Sequence, residues 1–166
     1  MSGEPASTLG VLTEFYTDKL ISLLRHQAHA RQISQYDANN TYQYIVNREE
    51  VQLDWLATAI ADAGGSLPEP APARPATAAV GGKGAAGALF EEDVRSAQAF
   101  LDRWRPRVEA MENARHRAML RVILGETREQ QRFFEQALAG RTDLLGRRSG
   151  VAAPAHGEVL PARWIE

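Results

Sequence analysis

The 166-residue chain contains no cysteine, which excludes disulfides, thiolate metal centres, iron–sulfur clusters and cysteine nucleophiles. It lacks any apolar run of the length that a bilayer demands. Its start, Met-Ser-Gly-Glu-Pro-Ala, has no basic stretch ahead of an apolar one, so no membrane partner is expected and a cytoplasmic location is the default. Excess charge of one sign is missing too: 19 Lys and Arg stand against 21 Asp and Glu, a formal net charge of −2, which gives no bulk attraction to nucleic acid. Arginines crowd residues 103–132, but acidic residues are interleaved with them. That pattern reads as solvated helix faces making i,i+4 pairs, and no nucleic-acid partner is expected. No Ser-His-Asp set or nucleotide fingerprint occurs, and Gly81-Gly82-Lys83-Gly84 lacks the strand and the spacing of a phosphate loop.

What is present is a 44% hydrophobic composition, ordinary for one globular domain, set in helical register. Leu9, Leu12, Tyr16, Leu20, Leu23 and Ala30 recur at helical steps and predict a first helix over about 7–33. Asp37, Asn39 and Asn40 are candidate caps for a second helix that presents Tyr42, Ile45, Glu49, Gln52, Leu53, Leu56 and Ile60 and stops at Gly64-Gly65. Residues 65–87 are Gly, Ala and Pro with little to bury, a crossover link long enough to run the length of a helical bundle. A third helix opens on Glu91-Glu92-Asp93, shows Phe90, Val94, Ala97, Leu101, Trp104 and Val108, and is kinked by Pro106. Asn113 caps a fourth, whose stripe is Met119, Ile123, Glu126, Gln130, Phe133 and Ala137, ending at Gly140. Residues 1–145 therefore form an all-α four-helix bundle of two antiparallel hairpins joined by a long crossover link. Residues 146–166 form an extended tail anchored by Trp164.

The second and fourth helices share a frame. Glu49-x-x-Gln52-x-x-x-Leu56 matches Glu126-x-x-Glu129-x-x-x-Phe133, and both have the spacing of a Glu-x-x-His metal motif with Gln52 and Glu129 standing where the imidazoles belong. With the crossover connectivity, these frames make residues 7–140 resemble the ferritin-like superfamily of carboxylate-bridged di-metal proteins. The resemblance implies that Glu49 and Glu126 are the motif glutamates of a di-iron site between the hairpins, and that this site is degenerate. Helix one supplies no carboxylate at the level of Glu49, where Tyr16, Lys19, Leu20, Ser22 and Leu23 fall, and Asp93 lies about two turns from the level of Glu126.

Two functions fit this pattern. The first is a ferritin-like bundle that has lost the usual di-iron ligands and acts as a non-catalytic binding or assembly protein, with no cofactor and with a protein partner or a second copy of itself. The alternative is a metal-binding oxidoreductase or metal-storage protein with an unconventional site of Glu49, Glu126 and Glu129 holding Fe or Mn as a di-metal or mono-metal centre. Convergence of Asp18, Glu49, Asp93 and Glu126 on one cavity favours the second; Leu23 and Leu101 filling that space favours the first. Carboxylates on apolar stripes need partners, and Arg25, Arg48, Arg121, Gln52, Gln130, Tyr16 and Tyr42 are the candidates. His26, His29 and His116 read as surface residues.

Overall fold

A computed structural model describes residues 7–69 and 84–145. It contains four helices: α1 Thr8–Ala30, α2 Tyr36–Asp62, α3 Ala85–Glu109 and α4 Ala114–Leu138, and no strand among the described residues. The expected tail 146–166, its Trp164 anchor and most of the crossover link lie outside the described residues.

The helix ends reflect local chemistry. Ser7 Oγ accepts from Gly10 N at 3.1 Å and Asn113 Oδ1 accepts from His116 N at 3.0 Å, each satisfying a free amide of the first turn. After α2, Gly64 takes φ 80 while Gly64 N and Gly65 N bond back to Ala61 O and Ile60 O. After α4, Gly140 takes φ 87 with the same pair of bonds, from its own N to Ala137 O and from Arg141 N to Gln136 O. Both are Schellman caps, which need a left-handed residue and so favour glycine. Gly65 is also pressed against α1, where a Cβ would stand 2.4 Å from Leu9.

Two local expectations change. The α2 cap position is Gln35, with no side-chain bond, because Asn39 turns back and donates to Ala30 O and Ile33 O at the end of α1. Helix α3 begins at Ala85, so Glu91, Glu92 and Asp93 sit beyond its first turn; the alanines before them are strong helix formers that extend it. The same helix continues through Pro106 to Glu109.

Helix α1 packs on α2 and α3, and α4 packs on α3 and α2, leaving α1/α4 and α2/α3 as diagonals. The inward face of each helix steps by three and four residues: Leu12, Phe15, Lys19, Ser22, His26, His29 and Ile33 follow α1; Tyr42, Ile45, Glu49, Gln52, Leu56 and Ala59 follow α2. Apolar packing falls into two clusters. One gathers Leu12, Phe15, Leu56, Leu101, Trp104 and Ile123, with Phe15 edge-on to Trp104 at 4.8 Å between centroids. The other gathers Tyr42, Ile45, Phe90 and Phe134. Buried polar residues interrupt this packing on every helix: Lys19, Ser22, His26 and His29 on α1, Glu49 and Gln52 on α2, Asp93 on α3, and Thr127, Gln130 and Gln131 on α4. They form a polar layer within the core. No helix among the described residues is long and apolar enough to cross a membrane.

Candidate functional site

The polar layer is built on α1. Lys19, Ser22, His26 and His29 continue the heptad steps of Leu12 and Phe15, so the helix that buries those two rings necessarily turns an ammonium and two imidazoles inward. His26 and His29 are each only 3% exposed, which corrects their reading as surface residues: their phase along the helix, not their polarity, decides their direction.

Glu49, fully buried on α2, meets two of these groups. Lys19 Nζ donates to its Oε1 at 2.9 Å, and His26 Nδ1 lies 2.8 Å from its Oε2. Asp93, equally buried on α3, accepts from Arg25 Nε at 3.1 Å on Oδ1, while His29 Nδ1 at 2.8 Å and the Tyr42 hydroxyl share its Oδ2. His26 joins the halves, since its Nε2 stands 3.5 Å from Asp93 Oδ1, beyond hydrogen-bond contact, with no other partner. A carboxylate accepts, so in both histidines Nδ1 carries a proton.

Electrostatics hold the layer ionised. Burial pushes the Glu49 carboxyl up, but the charges of His26 and Lys19 outweigh it and hold the group down at about 2. Burial likewise opposes ionisation of Asp93, and the hydrogen bond and charge of His29, the charge of His26 and the Tyr42 bond bring its pKa below the usual carboxylate value. Tyr42 is driven the other way, first by burial and then by the adjacent Asp93 charge, so its hydroxyl stays protonated as a donor.

The other carboxylates go elsewhere. Glu126 is clamped by Arg48, whose Nη2 and Nε reach its two oxygens at 2.6 and 3.2 Å, and by Gln52 Nε2. Asp18 accepts from Trp104 Nε1 at 2.8 Å and pairs with Arg103 at 2.9 Å. Glu129 is exposed. Hence no hydrogen bond or ion pair joins Glu49, Glu126 and Glu129 to one another, and Leu23 and Leu101 are buried in the first apolar cluster. Arg48 and Gln52 partner Glu126 as expected; Arg25 and Tyr42, expected on Glu49 or Glu126, bond Asp93 instead, and Lys19, His26 and His29 are the partners that residue type had hidden. Arg121 instead pairs with Glu109 on the surface.

The donors do not fit a metal pair. Two fixed cations, Lys19 and Arg25, already pair with the two buried carboxylates. Each carboxylate oxygen has at least one donor on it, and a divalent ion would have to displace a sealed ammonium to reach Glu49. Among the described residues no group of three or more His, Asp or Glu side chains is arranged to hold a metal ion. In comparisons with known proteins, no protein family, curated protein or solved structure matches the chain.

Proposed function

We propose that this chain is a ferritin-like bundle whose metal centre has given way to an internally paired ionic layer, and that it acts as a non-catalytic binding or assembly protein. The order of the contacts along each helix supports the topology. Glu14–Arg107, Asp18–Trp104 and His29–Asp93 pair α1 with α3 in opposite directions, and Arg48–Glu126 and Tyr44–Phe133 do so for α2 and α4. Asn39–Ala30 against Lys19–Glu49, and Phe90–Phe134 against Arg121–Glu109, support two antiparallel hairpins. Helices α2 and α3, consecutive in sequence, are thus diagonal and run parallel, the connectivity on which the ferritin-like arrangement turns.

The observation that carries the functional reading is the Lys19 ammonium on Glu49. It supplies the positive charge that a metal would supply, from within the chain and without an open coordination position. Tyr44, Val51 and Trp55 on α2 and Val122 on α4 are exposed apolar side chains that suit contact with another protein or a second copy. The alternative, an oxidoreductase or storage site on Glu49, Glu126 and Glu129 holding Fe or Mn, draws support from the two imidazoles in the layer. It is disfavoured by the donors already seated on every Glu49 and Asp93 oxygen and by the exposure of Glu129.

Anaerobic mixing with Fe²⁺ followed by oxygen tests the choice. The proposal expects iron oxidation no faster with the wild type than with an E49Q variant. Faster oxidation that is lost in E49Q favours the enzyme. Sedimentation across concentration tests assembly directly.

A further inference from the structure

Exposed apolar side chains are spread unevenly over the bundle. Helix α2 exposes Tyr44, Val51 and Trp55 and α4 exposes Val122, whereas α1 exposes only Ile21 and α3 no large apolar side chain. Between α1 and α3 the surface is closed by charge, with Glu14 and Asp18 held by Arg103 and Arg107. Between α2 and α4 it is not. Tyr44 touches Phe133, and Trp55 and Met119 line one recess. Helical phase puts Val51 in line with Tyr44 and Trp55, and Val122 in line with Phe133. One apolar seam therefore runs along the α2/α4 face.

The two helices that border the seam carry opposite surface charge. Every exposed charged side chain on α2 is acidic, Glu50 and Asp54 among them, whereas on α4 Arg115, Arg121, Arg128 and Arg132 outnumber the exposed Glu129 and Glu135. Glu50, Asp54 and Arg128 form no ion pair with any described residue. The pairs Arg48–Glu126 and Tyr44–Phe133 fix the level of one helix against the other. Val51 and Trp55 are then level with Val122 and Met119, and Asp54 and Glu50 lie within about one turn of the levels of Arg121 and Arg128. Phase sets Glu50 and Asp54 on the α1 side of the seam and Arg121 and Arg128 on the α3 side, where Arg121 reaches Glu109.

We propose that this face joins two copies of the chain about a two-fold axis parallel to the helices, with α2 of each copy lying on α4 of the other. The inference rests on the reading of the chain as an assembly protein and names its partner and its surface. Such an axis exchanges the two helices and keeps every residue at its own level, so Val51 and Trp55 meet the second copy's Val122 and Met119. At the rim, Glu50 and Asp54 meet its Arg128 and Arg121. A two-fold axis perpendicular to the helices would instead set α2 on α2 and α4 on α4, acid against acid and arginine against arginine, and charge selects against it. The area suffices as well. Helix α2, of 27 residues, is about 40 Å long, and two helices side by side are about 20 Å wide, so the face offers on the order of 800 Å² per copy, the size of a standard stable interface.

Sedimentation velocity of the full chain across concentration tests the interface. A dimer is expected in the wild type. V51E/V122E should weaken it by about tenfold or more and I21E should leave it unchanged, with helical circular dichroism intact because all three side chains are exposed. E50R/D54R and R121E/R128E should each weaken it by about tenfold or more as well. A mixture of these two charge variants should recover it, since each α2 then meets an α4 of opposite charge. A wild type that stays monomeric at every concentration overturns the inference together with self-association itself. A wild-type dimer that survives V51E/V122E, that neither charge reversal weakens, or that the mixture fails to recover overturns this interface and leaves the assembly reading standing.

Discussion

Lys19 and Glu49 form an ion pair 2.9 Å long in which both side chains are sealed from solvent, at 1% and 0% exposure. Desolvating two charges costs several kcal/mol each, so the pair is stable only as a pair, and only because His26 satisfies the second carboxylate oxygen. This explains how the bundle keeps Glu49 in its core without a cation from outside.

Removing the ammonium alone should therefore be expensive. K19M strands Glu49 and is expected to lower unfolding stability by about 3–5 kcal/mol in urea titrations. K19M/E49Q removes both charges and keeps an acceptor for His26, so it should recover more than half of that loss. A double variant no more stable than K19M contradicts the pairing.

Acid should find the same group. The Glu49 pKa falls from 4.5 to about 2 on folding, so the unfolded chain binds the proton first. Its contribution, on the order of 3 kcal/mol, is fully present above about pH 4.5 and is lost as pH falls toward 2. Urea midpoints measured across that window should drop in the wild type and drop less in E49Q.

Residue type explains which part of the structure was legible in the sequence. Glu49 and Gln52 are flanked by Ile45, Leu56 and Ile60 at helical steps, so their burial could be read directly, and Asn113 declared the start of α4. On α1 the apolar residues Leu9, Tyr16 and Leu20 drew the stripe one position away from its true centre; they are only partly buried, while Phe15 and Lys19 between them are sealed. The signal was in the phase. Leu12, Phe15, Lys19, Ser22, His26, His29 and Ile33 step by three and four without a break, and a reading that admits polar residues to a heptad finds the site. Asp93 was masked similarly, as part of an acidic run that suits a helix start.

Alkali should report on the other half of the layer. Burial and the Asp93 charge raise the Tyr42 pKa above its ordinary 10.0, so the folded state keeps a proton that the unfolded state gives up. Stability is complete below pH 10 and declines above it. Native-state tyrosinate absorbance should be the same in Y42F as in the wild type, because Tyr42 does not ionise until the chain unfolds. Y42F should itself cost about 1.5–3 kcal/mol by removing a donor to a buried carboxylate. A tyrosinate signal lost in native Y42F contradicts the account.

The central claim is that an internal ammonium holds the place of a metal. Elemental analysis tests it most directly, on protein purified without added metal and again after anaerobic loading with Fe²⁺ or Mn²⁺ and desalting. The account predicts no stoichiometric metal in either sample. Stoichiometric metal in the wild type that disappears in E49A/E126A would contradict it.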